Sequence, residues 1–217
     1  RRWHGHRLFG HDSSLVRLPN TEELAQEFGL IEVTNQQGAT GTSYPQGRIS
    51  VLYDLLNQIG VDARLESSRV GEVLVAIEQA AHVPVGDLVI NDRGFTGFRY
   101  LAEHVHRGVH VVGRCSSGSF LAAQELFRLN RAGRSVITRL HAPKEQRAEL
   151  QRLGLPLVLT VRFVSLRLPD DKLEVLVTTL LEEREYPTEE FSDLYHRRWG
   201  HETFYNRLKS RLDLENF

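Results

Sequence analysis

The sequence predicts an α/β protein built on a mixed sheet, and three observations carry that prediction. Short apolar runs with strand character alternate with segments of helical spacing. The strand-like runs come first as a meander and then singly between helices, the pattern of a sheet with antiparallel and parallel pairs. Later, two long alternating stretches flank a polar turn and read as a hairpin added to that core.

Taken in order, Arg7 to Asp12 and Leu15 to Leu18 read as short strands, and Arg48 to Leu55 and Gly60 to Glu66 as a further pair joined around Asn57 to Gly60. Val70, Val73, Leu74, Ile77 and Ala81 give Val70 to His82 a helical stripe that ends before Pro84. Asp87 to Ile90 is a short apolar strand running into Asn91 and Asp92; Phe98 to Arg107 is a helix and Val109 to Gly113 a buried strand. A polar loop, Cys115 to Ser119, precedes a helix near Leu121 to Asn130. The hairpin strands are Leu157 to Leu168 and Leu173 to Leu181, with Pro169, Asp170 and Asp171 in the turn. The expected division is a first part of the core over 1–115, a β-rich insertion over 116–187 and a closing helix of the core over 188–217.

That helix is expected from about Thr188 to Leu212, because Thr188 can cap it, Glu189 and Glu190 fall in its first turn, and no proline follows Pro187. At 100° per residue, Tyr195, Arg198, Glu202 and Lys209 point within an arc of roughly 60°. A phenol, two cations and a carboxylate on one narrow face suit a site for a metal ion and a DNA phosphate. The same pattern also suits a solvated face laced with salt bridges.

The chain has 217 residues, 41% apolar and 25% charged, which fits one large soluble domain or a domain with an insertion. No apolar run approaches the ~18 residues of a membrane span, and no signal peptide is visible. A single cysteine, Cys115, excludes an internal disulfide and a cysteine-rich zinc site and reads as a small core residue, so an intracellular protein fits best. The opening RRWHGH and the absence of methionine indicate a piece of a longer protein. The net charge of −1 conceals a basic block: from Arg93 to Arg152 eleven Lys or Arg face four acids, a surplus of seven. Such a block can follow a nucleic-acid backbone or form a soluble arginine-rich surface.

Three carboxylates stand out. Asp12 ends the first strand, Asp92 follows a later strand, and Glu202 lies midway along the last helix. Ligands of open α/β sheets gather outside the carboxyl ends of strands, and three acids arriving there from separate elements can hold two Mg²⁺ ions.

These residues carry a resemblance. The segments HDSSLVRLPNT around Asp12, DLVINDRGF around Asp92 and YHRRWGHETFYNRLKSRLDLENF around Glu202 are similar to those of DDE transposases of the insertion sequence 4 family, with a ribonuclease H-like fold. The last segment reproduces the signature Y-x2-R-x3-E-x6-K at Tyr195, Arg198, Glu202 and Lys209 without a gap. The β-rich insertion is a further family trait.

The resemblance implies the catalytic domain of a cut-and-paste DNA transposase, with Asp12, Asp92 and Glu202 as catalytic metal ligands for two Mg²⁺ ions, Mn²⁺ being able to substitute. On that resemblance one metal would activate water or the freed 3′ hydroxyl while the other would stabilise the leaving oxygen. Tyr195, Arg198, Lys209 and Arg93 are expected to contact DNA, arginine being able to grip phosphate bidentately. The implied partners are double-stranded DNA, as transposon ends and target, and a second copy in a synaptic homodimer. The implied location is the bacterial cytoplasm, at the nucleoid. Alternatives are a nuclease of the same fold without strand transfer and a non-catalytic DNA-binding derivative.

The remaining features read more plainly. Gly38 to Gly47 is glycine-rich but lacks the GK[ST] ending of a phosphate loop. His104, His106 and His110 read as surface histidines, and His4, His6 and His11 as chance neighbours of Asp12. Gly94 reads as a turn residue, and Phe120, Phe127, Phe163 and Trp199 as packing residues.

Overall fold

In the computed structural model, which describes residues 1–31, 43–168 and 171–199, the chain opens on one continuous strand, β1 (Leu8–Arg17), where the sequence suggests two. Ser13 and Ser14, which look like an interruption, lie in register with Ser50 and Ile49 of a neighbouring strand. Ladder hydrogen bonds are made by the backbone and do not require apolar side chains.

A short helix, α1 (Glu22–Phe28), follows and was not expected from spacing; the Thr21 hydroxyl caps it by accepting from Leu24 N at 3.3 Å. After the two-residue strand β2 (Leu30–Ile31), β3 (Tyr44–Asp54) and β4 (Ile59–Ser67) complete the anticipated antiparallel meander, β3 pairing with β1 on one side and β4 on the other. Of the glycine-rich stretch read as a loop, residues 38–42 lie outside the described part, and Tyr44 to Gly47 correct the reading: they begin β3, because their backbone pairs with β1 and β2.

The helical stripe of Val70 to His82 forms α2 (Glu72–Gln79), which tightens into a 3-10 turn over Ala80–His82. β5 (Leu88–Asn91), α3 (Phe98–His106) and β6 (His110–Arg114) then form a strand, helix, strand unit with β5 parallel to both β1 and β6. A 3-10 turn, Arg93–Phe95, follows β5. It forces close packing at Gly113, where a Cβ would sit 2.5 Å from Thr96 Cγ2.

Beyond α4 (Leu121–Leu129) the chain makes an unexpected strand, β7 (Arg134–His141), and a short helix, α5 (Arg147–Arg152). The β7 sequence hides its conformation because Val136 and Ile137 are adjacent and both exposed, which breaks the alternation of a half-buried strand. β8 (Val158–Arg167) and β9 (Leu173–Thr178) are the expected antiparallel hairpin. β9 also pairs antiparallel with β6, so the strands of the 116–187 segment extend the same sheet, in the order β2-β3-β1-β5-β6-β9-β8-β7 with β4 on β3.

The closing helix departs from expectation at its start. α6 (Glu190–His196) begins after Thr188, whose hydroxyl accepts from the Arg162 guanidinium at 2.7 Å and donates to Glu183 instead of capping the helix. After His196 the chain tightens into a 3-10 turn over Arg197–Trp199, and residues from Gly200 onward lie outside the described part.

Two apolar layers flank the sheet. One face packs residues of α2, α3, α4 and α5 on Val111, Val161, Phe163, Val175 and Val177, with Phe120 and Phe127 at its margin. The other packs Phe191, Leu194 and Tyr195 of α6 on Leu8, Leu88, Ile90, Val112, Val164 and Leu176. Cys115 is core as expected, and burial pushes its thiol up to about 12. His104 is a correction: it is fully buried, because its ring lies on the core side of α3 with Nδ1 bonded to Tyr100 O at 2.8 Å, and burial pulls it down to about 4.

Candidate active site

The register of the parallel strands brings the first two acids to one level. Leu8 pairs with Leu88 and Phe9 with Val89, an offset of 80 between β1 and β5; Asn91 pairs with Gly113, an offset of 22 between β5 and β6. Continued three residues beyond the last β1–β5 pair and one beyond the last β5–β6 pair, these offsets put Asp12, Asp92 and Arg114 in one row. Because side chains alternate along a strand, all three share the face of Leu8, Ile90 and Val112, the face on which α6 packs. The neighbouring level is tied by His11 N, which donates to the Asn91 side-chain oxygen at 3.5 Å. β1 continues beside β3 past the end of β5, so the row lies where the parallel strands end, the usual place for a ligand in an open α/β sheet.

Asp92 is held firmly. Its Oδ1 accepts from Arg93 N at 2.7 Å as the cap of the 3-10 turn, lies 3.0 Å from Arg114 Nε, and accepts from the Tyr195 hydroxyl at 3.5 Å. Arg114 in turn reaches Glu174 of β9, NH1 to Oε1, at 2.8 Å. Burial pulls the Arg114 pKa down, but the Tyr195, Asp92 and Glu174 groups around it, Glu174 also by a hydrogen bond, outweigh it and hold the guanidinium above its ordinary value. Asp12 accepts from Ser13 N at 2.8 Å.

Tyr195 and Arg198 also reach this place. Tyr195 is buried, and burial, reinforced by the Asp92 charge against the opposing Arg198 charge, pushes its phenol well above the ordinary range, so it remains a proton donor. The Arg198 guanidinium lies 5.6 Å from the Tyr195 ring and 5.5 Å from the Trp199 ring. Trp199 corrects the expectation of a packing residue: its ring is 48% exposed and lines a cavity with Arg114, Glu174, Tyr195 and His196. Arg93 is exposed beside Asp92 and makes no ion pair among the described residues. Glu202 and Lys209 lie outside the described residues.

Two participants escaped the sequence reading, Arg114 and Glu174. A signal existed for the first, since Arg114 directly follows the apolar run Val109 to Gly113 just as Asp92 follows its own strand. Glu174 sits inside an apolar strand, and only the pairing of β9 with β6 explains it. The histidines of the amino-terminal stretch take structural places: His4 bonds Glu190 at 2.8 Å, His6 bonds the Tyr186 hydroxyl at 2.9 Å, and His11 is buried against Phe95 and Tyr100.

For a divalent cation the donor chemistry fits in kind. Asp12 and Asp92 offer carboxylate oxygens on one face and level, and the Asp92 side chain is 42% exposed, which suits a hard cation that keeps water in its shell. Among the described residues no group of three or more His, Cys, Asp or Glu gathers to hold a metal, so a complete site of this kind needs a further ligand from beyond them.

The family model described as the transposase DDE domain matches residues 3–217. No curated protein matches the sequence. The fold is similar to that of a piggyBac transposase solved by cryo-electron microscopy as a synaptic complex with hairpin DNA, with a TM-score of 0.54 and 13% identity. That similarity covers 94% of this chain and 40% of the transposase, so the chain spans well under half of that protein's length.

Proposed function

Because the chain belongs to the transposase DDE domain family, we propose that it is the catalytic domain of a cut-and-paste DNA transposase of the insertion sequence 4 type, cleaving DNA at transposon ends and joining them to target DNA. The observation that carries this reading is the Tyr195 hydroxyl of α6 reaching Asp92, just past the end of a strand whose register with β1, carried on, brings Asp12 to the same level.

Asp12 and Asp92, with Glu202 as third ligand, are proposed to hold two Mg²⁺ ions, which when bound supply activation of the attacking oxygen and charge neutralisation at the leaving one. The chain's own groups do the rest. Tyr195 keeps its proton and steadies Asp92 by donating to it. Arg93, exposed beside Asp92, and Arg198 and Lys209 on the closing segment grip the phosphates flanking the cut. The exposed cations of the 131–152 region, Arg131, Arg134, Arg139, Lys144, Arg147 and Arg152, extend that grip along the DNA backbone. Under this reading 1–115 and 188–217 form the catalytic core and 116–187 its inserted segment. Two copies act together at paired ends, in the bacterial cytoplasm at the nucleoid. No described helix is long and apolar enough to cross a membrane.

The test is Mg²⁺-dependent cleavage of end-containing DNA by Asp12→Asn, Asp92→Asn and Glu202→Gln. Each is expected to lose cleavage while keeping DNA binding, which improves if anything because a negative charge near phosphate is removed. Normal cleavage by any one of them refutes the assignment. Cleavage by the parent without joining of a pre-cut 3′ end to a plasmid identifies a nuclease instead.

A further inference from the structure

Each hydrogen bond that Asp92 accepts among the described residues falls on Oδ1, from the Arg93 N–H and the Tyr195 hydroxyl, and the same oxygen lies 3.0 Å from Arg114 Nε as an ion pair. None falls on Oδ2, although the side chain is 42% exposed. A carboxylate with two hydrogen bonds and a guanidinium at 3.0 Å on one oxygen has that oxygen fixed and the other turned out.

Arg114 is the cationic member of this set, and it is itself anchored. Glu174 is only 5% exposed and lies between apolar neighbours of β9, a position a carboxylate seldom takes without a partner. Its partner is Arg114 NH1 at 2.8 Å, with Glu174 two residues along β9 from Leu176, the cross-strand neighbour of Arg114. The chain of contact therefore runs from a buried acid on β9 through a guanidinium at the end of β6 to an acid at the end of β5. It crosses three adjacent strands, so its geometry is set by the sheet and not by a loop.

We infer that Arg114, anchored by Glu174, is a positioning residue that fixes Asp92 Oδ1 and thereby presents Oδ2 to the divalent cation. The inference rests on the metal-dependent reading above. A guanidinium beside a metal ligand repels the cation, so removing it tightens metal binding if charge alone matters. Fixing the ligand has the opposite sign, since loss of a group that orients a metal-binding carboxylate weakens metal affinity, typically about 10- to 100-fold. The sign of the change thus decides between the two roles.

The measurement is Mn²⁺ binding by electron paramagnetic resonance on the 217-residue chain, with a thermal melt of each variant. Arg114→Gln is expected to bind Mn²⁺ about 10- to 100-fold more weakly than the parent. Glu174→Gln, which touches no atom of Asp92, is expected to shift affinity in the same direction by a smaller factor, through the loosened arginine. Arg114→Gln leaves Glu174 a buried lone charge, so the double variant with Glu174→Gln serves where the single one does not fold. Because both residues act along one line of contacts, the double variant is expected to bind no more weakly than Arg114→Gln. Parent-like or tighter Mn²⁺ binding by either folded variant lacking Arg114 overturns the positioning role. A parent chain with no Mn²⁺ binding that Asp92→Asn abolishes overturns the metal reading, and this inference with it; the parent titration separates the two failures.

Discussion

Arg162 is the most completely enclosed cation described, and replacing it by methionine tests how α6 is set in place. Its side chain has no exposure, and each of its three nitrogens is engaged at 2.7 Å: Nε to Ser135 Oγ, NH1 to Tyr186 O, and NH2 to both Thr188 Oγ1 and Glu183 Oε2. It also lies 5.2 Å over the Phe191 ring. One guanidinium thus joins β7, β8, the 183–188 segment and the first turn of α6. Methionine fills much of the volume but strands the Tyr186 carbonyl, and removing one member of a buried pair costs about 3–5 kcal/mol. Glu183 is 54% exposed and regains water when the arginine is lost, which places the expected loss at the lower end, about 3 kcal/mol. At about 2–4 °C per kcal/mol for a chain of this size, Arg162→Met should melt roughly 6–12 °C lower. Glu183→Gln, which alters only the exposed end of the pair, should stay within about 1 kcal/mol of the parent. Calorimetry at neutral pH checks both. A melt of Arg162→Met within about 2 °C of the parent would show that the clamp contributes nothing beyond packing, and the argument from its four partners would fail.

Two further changes probe other parts of the fold. His104 is buried neutral with its pKa drawn down to about 4, so its contribution to stability is complete above its unfolded value near 6.5 and is lost as pH falls from there toward 4. Melts of the parent between pH 7 and 4 should therefore fall more steeply than those of His104→Leu, by up to roughly 3 kcal/mol across the window; parallel curves would remove His104 as an acid-labile element. Gly113→Ala forces a methyl to within 2.5 Å of Thr96 Cγ2 and should cost about 1–3 kcal/mol in denaturant titrations. Thr96→Ser removes that methyl while keeping the hydroxyl that donates to Arg93 O, so the double variant should recover most of the loss, and no recovery would show that the clash lies elsewhere.

Much of this molecule can be read from its residues in order. The hairpin of β8 and β9 is legible because long alternating runs with a polar turn have no competing conformation, and α3 is legible because Phe98, Leu101, Ala102 and Val105 recur at helical spacing. Asp12, Asp92 and the Tyr195, Arg198, Glu202, Lys209 spacing are likewise visible, since a local motif keeps its spacing whatever surrounds it. β1 is read as two pieces because serines interrupt its pattern, and β7 is missed because its side chains alternate in nothing; both are strands through backbone pairing with a partner distant in sequence.

The identity of the groups around Asp92 was decided only in three dimensions. Arg114 and Glu174 are 60 residues apart and meet because β9 returns antiparallel beside β6, a choice of register that no local pattern records. The same holds for Arg162, an ordinary arginine in the sequence that becomes the buried tie between two strands and α6. Local spacing determines which faces are apolar and which residues can do chemistry. Pairing across the sheet determines which charges become neighbours, because a charge is tolerated inside only where a distant residue supplies its partner.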